Sequence, residues 1–480
     1  MRAAVLESTA MSVTRNGIDI PPHIFREYDI RGVALDGFGK EVELTPGFTE
    51  LLGRAVATML AERRGTGKPR VIVGRDARQS GESLASALST GLRSAGADVI
   101  DIGLVPTPCL YFADHVLDVD GAMQITGSHN PVEINGFKVM MGGATLYGAE
   151  IQAVRQVMEN GHLATGSGSG SRLDFLPRYV DMLVAGFEPM KGLKCAIDCG
   201  NGTSGLTIVP AMSMLGIEPT ILYAEPDGTF PHHHADPTVP KNLEDLIKTV
   251  KDKRVWVGMA FDGDSDRLGA VDENGHILWG DQLMVLYARD ILKRRPGATI
   301  IGEVKCSKVL YDEIAKAGGK PDMYRTGHSL IKAHMKEVGA ALAGEMSGHL
   351  FFEDRWMGFD DANYAALRLA ELVYQSGAPL SGLMADIPVL KSTPEIRVDC
   401  PEEIKFELVA RVQEAFRKRK DVRLIDIDGA RVETEYGWGL VRASNTQAVL
   451  VLRFEADTDE HLNKIRAMIE SEIDKARKSL

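Results

Sequence analysis

Residues 255–267 read Val255-Trp-Val-Gly-Met-Ala260-Phe-Asp262-Gly-Asp264-Ser-Asp266-Arg267. The run 255–260 is apolar and predicts a strand, and it feeds directly into three carboxylates at i, i+2 and i+4. A tight coil lets them converge on one cation as hard oxygen ligands for magnesium or calcium. Like charges about 4 Å apart repel by on the order of 4 kcal/mol per pair at an effective dielectric near 20, so a cation is the natural remedy. An EF-hand counted from Asp262 would place Glu273 correctly at position twelve, but Arg267 replaces the glycine at six and strands replace the flanking helices. A solvated acidic turn is the bland alternative. The apolar strand counts against it, because it anchors the loop to a sheet end, where α/β proteins bind ligands.

Outward from this loop the chain alternates helices and strands. A second α/β unit opens with a strand over 193–199, continues through a helix at 206–215 and a strand at 221–223, and closes with 255–260. Before it, a helix at 47–62 and β runs at 71–73 and 99–103 make another α/β layer. The low-complexity run Gly166-Ser-Gly-Ser-Gly-Ser171 predicts a flexible segment beside a domain boundary, with a surface loop as the alternative. A hairpin at 268–279, turning on Asn274-Gly275, predicts the opening of a third unit that runs to about Asp386. The remainder has a different make-up, with a strand at 395–398, a helix with Ile404, Leu408, Val412 and Phe416 at i+4 spacing, several strands to Glu455, and a closing helix. The domains expected are 1–172, 173–276, 277–388 and 389–480. No repeat shows in the sequence, but three units of similar size and rhythm are consistent with a diverged structural repeat.

With 480 residues the chain exceeds one core, and three or so domains of about 150 residues fit its length. Its 44% hydrophobic and 25% charged residues are those of a soluble globular protein. A net charge of −12 argues against a general nucleic-acid or anionic-membrane binder, so an anionic substrate must meet a local basic cluster. Cys109, Cys195, Cys199, Cys306 and Cys400 are an odd number without a C-x-x-C pair and read as reduced core residues. Glu7 and Arg15 interrupt the N-terminus before any signal-like apolar stretch, with Met11 an alternative start. No window nears the ~18 apolar residues of a membrane span. A cytoplasmic monomer is expected.

Four further segments carry chemistry. Thr126-Gly-Ser128-His129-Asn-Pro131 places a serine on a turn-forming loop where its hydroxyl projects and neighbouring N–H groups can bind an anion; an ordinary turn serine is the alternative. It is no hydrolase elbow, since Thr126 and Asn130 occupy the glycine positions. Gly200-Asn-Gly202-Thr-Ser-Gly205 satisfies G-x-G-x-x-G between a strand and a helix, with Glu225 some twenty residues on, which makes a dinucleotide-binding dehydrogenase the rival reading; a tight strand-to-helix turn needs the same glycines. Gly344-Glu345-Met-Ser347-Gly-His349 offers groups suited to sugar hydroxyls. Arg442-Ala-Ser444-Asn445-Thr446, at a turn between two strands, has the make-up of a phosphate clamp, a plain hairpin being the alternative. A P-loop is absent, and a non-enzymatic metal-binding module is the third reading.

Together these segments resemble the α-D-phosphohexomutase superfamily, specifically its bacterial phosphomannomutase/phosphoglucomutase members, from about Ile24 to the C-terminus. Residues 25–32, with Tyr28 and Arg31, resemble the family's N-terminal segment, 126–131 its phosphoserine loop and 262–267 its magnesium loop. Residues 344–349 resemble its sugar-recognition loop and 442–446 its phosphate-binding loop. The stretches at 135–138 with Lys138, 304–306 with Lys305, and 326–329 with Gly327 and His328 match further active-site segments. Ser265 and the run 132–134 depart from the family pattern without touching the chemistry. Residues before about 20 have no clear counterpart.

The resemblance implies an α/β fold of four domains around a central cleft, three of them related α/β domains and the fourth a smaller α+β C-terminal domain. It implies reversible phosphoryl transfer between C1 and C6 of mannose and glucose phosphates through phospho-Ser128 and a bisphosphorylated sugar intermediate, with glucose 1,6-bisphosphate as activator or intermediate. Mg2+ would sit on Ser128, Asp262, Asp264 and Asp266. Lys138 and His328 become candidates for the acid/base pair, with His129 and Arg31 beside them. Tyr28, Arg267, Lys305, Gly327, Glu345, Ser347, Arg442, Ser444, Asn445 and Thr446 would bind the sugar phosphate.

Overall fold

The computed structural model describes residues 13–65, 67–445 and 447–480; Met11 and Thr446 lie outside them. The chain forms two compact units, one of residues up to His276 with Asp361–Gln375, the other of Ile277–Asp360 with Ser376–Leu480.

Besides the two-stranded pair Val13–Arg15 with Ile18–Ile20, the first unit holds two larger sheets. In the seven-stranded one, Arg70–Arg75 lies between Asp98–Leu104 and Gly121–Ile125, parallel to both, and Ile134–Met141 closes that side antiparallel to Gly121–Ile125. Val71, Ile72 and Val73 are all buried, as befits a central strand covered on both faces. Helix Pro46–Arg64 starts where Thr45 accepts a bond from Phe48 N and Pro46 needs no donor, and ends at Gly65 with φ +77°. Its apolar side joins the core that contains Phe48, Leu52 and Val56.

The run 166–171 is not a free linker. Gly166 N, Gly168 N and Val99 N are hydrogen-bonded to Ser94 O, Arg93 O and Ser169 O, and Gly170–Arg172 pairs parallel with Asp98–Leu104 at the sheet edge. Glycine and serine leave the backbone groups accessible for pairing, which their composition alone does not reveal.

In the second sheet Cys195–Asp198 lies between Thr220–Leu222 and Val257–Phe261, parallel to both, and Val257–Phe261 pairs antiparallel with Leu268–Asp272. The strand at 268 therefore belongs to the second sheet; it does not open a third unit. The Asn274-Gly275 turn is present, with Gly275 at φ +86°. Residues 361–375, inside the span expected for a third domain, belong to the first unit: Tyr179 donates to Asp361 (2.8 Å) and Thr207 to Asn363 (3.0 Å).

The second unit repeats the pattern. Thr299–Glu303 lies between Lys320–Tyr324 and Leu342–Gly344, parallel to both, and Leu350–Phe352 returns antiparallel to Leu342–Gly344. The same strand order thus occurs three times, and the loops 126–133, 262–267 and 345–349 occupy the same place in each, between the last parallel strand and its antiparallel partner. The C-terminal part is a six-stranded antiparallel sheet. Helices Glu402–Arg417 and Asp459–Lys478 cover it through Leu408, Val412, Phe416, Ile465 and Ile469. All five cysteines are buried and none forms a disulfide.

Candidate functional site

Ser128 sits between strands Gly121–Ile125 and Ile134–Met141, in left-handed backbone conformation at φ +49°. The hydroxyl does not project to solvent as its turn-rich surroundings predict: the residue is 2% exposed. Its Oγ donates to Asp262 Oδ2 at 2.7 Å and lies 3.0 Å from His129 Nδ1. The serine is thus aimed at the acidic turn.

That turn joins Val257–Phe261 to Leu268–Asp272, and its three carboxylates converge, with ligand atoms all within 4.8 Å of one another. Asp262 Oδ1 accepts from Asp266 N and Arg267 N (3.0 and 3.1 Å). Asp264 Oδ2 accepts from Thr107 Oγ1 and Lys138 Nζ (2.5 and 2.7 Å), and Lys138 also pairs with Asp266. Burial, then the charges of Asp266 and Asp264, pushes the Asp262 carboxyl well above its usual range. Asp264 Oδ1 is buried without a hydrogen-bond partner among the described residues. Converging oxygen donors, one of them unsatisfied, fit a divalent metal ion, which this cluster could hold.

The glycine turn at 200–205 packs against this loop. A Cβ on Gly202 would stand 2.8 Å from Gly263 O, and Thr203 N donates to Gly263 O at 3.1 Å while Thr203 Oγ1 lies 3.0 Å from Ser265 Oγ. The glycines serve close packing, and the surface a dinucleotide would need is filled by the acidic turn.

In the second unit Glu345 accepts from Gly327 N at 2.7 Å and pairs with His349 Nδ1 at 2.6 Å, with Ser347 Oγ 3.4 Å away. Burial alone would raise its carboxyl, but the bond to His349 and the charges of His349 and Lys305 outweigh it and bring it down to about 2. His328 Nδ1 lies 3.6 Å from Asp360. Lys305 is buried with its Nζ 3.3 Å from Glu395 and 3.9 Å from Glu303. Arg442 Nε donates to Asp428 at 3.1 Å, and Thr326 N donates to the same carboxylate.

Four family models match in order: phosphoglucomutase/phosphomannomutase α/β/α domain I at residues 22–164, domain II at 177–275, domain III at 279–390 and the C-terminal domain at 395–472. The chain belongs to the phosphoglucomutase/phosphomannomutase family. It is 45% identical over 461 residues to a phosphomannomutase/phosphoglucomutase of Pseudomonas aeruginosa, covering 96% of this chain and 97% of that one. It is 43% identical to a phosphoglucomutase of Neisseria meningitidis, covering 94% and 98%. A crystal structure of a family protein from Burkholderia thailandensis superposes with a TM-score of 0.88 at 41% identity, covering 95% and 98%. The dehydrogenase reading finds no support among these relatives.

Within this phosphohexomutase frame, the first unit brings Ser128, His129, Lys138, Asp262, Asp264, Asp266 and Arg267 together. Arg31 shares that unit and pairs with Asp29, while the half-buried Tyr28 lies in the turn before it. The second unit gathers Lys305, Gly327, His328, Glu345 and Ser347. Arg442 reaches them through Asp428, and Ser444 O is held by Lys405 Nζ at 2.5 Å. Asn445 follows Ser444 in the same turn.

Sequence reasoning missed the residues that support these groups. Glu303, fully buried at the end of Thr299–Glu303, accepts from Lys305 N and Thr326 Oγ1 (2.8 Å each) and from Met346 N (3.3 Å), tying three site segments together. Asp76 and Arg78 do the same for the serine loop. A charged residue at the carboxyl end of an apolar strand was the available signal for Glu303 and Asp76.

Proposed function

We propose that this enzyme interconverts the 1- and 6-phosphates of glucose and mannose through a phosphorylated Ser128. The observation that carries the reading is the Ser128 hydroxyl bonded at 2.7 Å to one of three converging buried carboxylates.

Phospho-Ser128 gives its phosphoryl group to the free O1 or O6 of a sugar monophosphate: the Ser–O–P bond breaks, the sugar–O–P bond forms, and the sugar hydroxyl loses its proton to a base. The departing seryl oxygen takes up a proton; the bisphosphorylated sugar then turns around, its other sugar–O–P bond breaks with protonation of that sugar oxygen, and Ser128 Oγ bonds the phosphoryl group as its own proton departs. Asp262, Asp264, Asp266 and the seryl phosphate would hold a magnesium ion, which would supply charge neutralisation during transfer. Lys138, already in contact with Asp264 and Asp266, and His328 are the groups assigned to proton transfer; Arg31 and Arg267 add positive charge.

Glu345 and Ser347 bind sugar hydroxyls, and Lys305 with the 442–446 turn holds the phosphate that is not reacting. Because the sugar presents each end in turn, that turn must accept either phosphate. We further place the enzyme in the cytoplasm as a monomer; no helix among the described residues is long and apolar enough to cross a membrane.

Intact-mass measurement tests the mechanism. Protein treated with glucose 1,6-bisphosphate should gain one phosphate, located on Ser128, and should convert glucose 1-phosphate and mannose 1-phosphate to the 6-phosphates. Unmodified serine and no turnover with either sugar would defeat it.

A further inference from the structure

Arg78 belongs to no motif read from the sequence, and the mechanism above does not use it. Its buried guanidinium donates four hydrogen bonds to main-chain carbonyls, three in the serine loop and one at the first residue of the strand that follows it. Nη2 reaches Ser128 O (2.9 Å) and Asn130 O (2.5 Å), and Nη1 reaches Pro131 O (2.6 Å) and Ile134 O (2.7 Å). The Phe230 ring covers the group at 5.4 Å, and Asp76 Oδ2 lies 3.4 Å from Nε.

Asp76 holds the other arm of the loop. Its Oδ2 accepts from Thr126 Oγ1 (2.8 Å) and Gly127 N (3.2 Å), and Thr126 Oγ1 accepts from Ser128 N (2.8 Å). Both main-chain groups of Ser128 are therefore tied, its N–H through Thr126 and Asp76 and its carbonyl by Arg78. Serine disfavours the φ of +49° found here, and it persists only where surrounding bonds over-determine it. Gly127 shows how closely the guanidinium approaches: an added Cβ would stand 2.5 Å from Arg78 Cζ.

We infer that Arg78 is a positioning residue for phosphoryl transfer: its planar fork holds Ser128 in the left-handed conformation that aims Oγ at Asp262. A lysine keeps the charge but cannot reach four carbonyls in a plane, so charge alone does not replace it. The inference rests on Ser128 being the phosphoryl carrier.

The test compares the full-length wild type with Arg78→Lys, Arg78→Gly and Phe230→Leu, measuring kcat, KM for glucose 1-phosphate, thermal unfolding, and transfer from glucose 1,6-bisphosphate to Ser128. Misplacing the serine by an ångström should lower kcat about a hundredfold in Arg78→Lys. KM should stay within about threefold, because the sugar-binding groups are untouched. Phe230→Leu should shift kcat the same way by less. Millimolar guanidinium should restore part of the activity of Arg78→Gly, and methylammonium should not. A wild-type kcat in Arg78→Lys overturns the inference, as does a loss that follows the folded fraction and ignores guanidinium. Absence of phosphate transfer and turnover in the wild type would instead defeat the mutase reading itself, and this inference with it.

Discussion

Ser128 Oγ and Asp262 Oδ2 share a hydrogen bond of 2.7 Å although the residues stand 134 positions apart. The bond joins two loops that occupy the same place in two copies of one strand pattern. If phosphoryl transfer runs through this hydroxyl, Ser128→Ala should lose several orders of magnitude in turnover. It should lose only about 1 kcal/mol of stability for the missing bond. Steady-state kinetics beside denaturant unfolding separates the two, and near-normal turnover would rule out the covalent route.

Asp264 carries a buried oxygen without a hydrogen-bond partner among the described residues, so Asp264→Asn should weaken magnesium binding and slow turnover together, with partial recovery at high magnesium or with manganese. Calorimetric titration of the metal gives the first effect independently of the second. Unchanged metal affinity would remove Asp264 from the ligand set.

Gly202 leaves no room for a side chain, since a Cβ would stand 2.8 Å from Gly263 O. Gly202→Ala should displace the acidic turn, lowering stability by about 1–3 kcal/mol and metal affinity with it. The wild type should show no NADH binding by fluorescence. Tight NADH binding would reinstate the dinucleotide reading.

Glu345→Gln removes the charge paired with His349 and tests dual specificity. Glucose and mannose differ only at C2, so a residue holding their common C3 and C4 hydroxyls should matter equally to both. An unpaired hydroxyl costs about 1–3 kcal/mol, roughly five- to 150-fold in rate, so kcat/KM should fall by similar factors for glucose 1-phosphate and mannose 1-phosphate. Loss for one sugar with the other spared would mean that this loop senses C2.

Glu395 supports an acid-stability prediction. The Lys305 ammonium first, and then Arg397, hold its carboxyl down at about 2 against burial, from an ordinary 4.5. A carboxyl whose folded value is depressed adds stability that is complete above the unfolded value and drains away as pH falls toward the folded one. Denaturant unfolding should therefore show stability dropping below about pH 4.5, by up to about 1.4 kcal/mol per pH unit for each such group. Lys305→Met should flatten that slope. An identical slope in the variant would show that the pair is not coupled.

Periodicity and turn chemistry in the sequence determined the α/β layers, the strands and two helices of the C-terminal part, and the loops with serine, carboxylates and arginine. Each of these depends on neighbours a few positions away. Local spacing sufficed for the acidic turn because its three ligands come from one short run, Asp262 to Asp266. It misled at 166–171, where glycine and serine read as a linker yet pair along a sheet edge, and at 200–205, where a nucleotide-like turn packs on the acidic loop.

Only the tertiary structure decided what surrounds each loop. Ser128 reads as an exposed turn serine until Asp76, Arg78 and Asp262, each from another part of the chain, close around it. Glu303 reads as the polar end of a strand until three loops hydrogen-bond to it. The repeat, which the sequence suggested only through three units of similar size and rhythm, showed its shared strand order in three dimensions: strand order is set by crossover connections and backbone pairing, which tolerate nearly any buried side chains, so three copies keep one topology after their sequences have diverged.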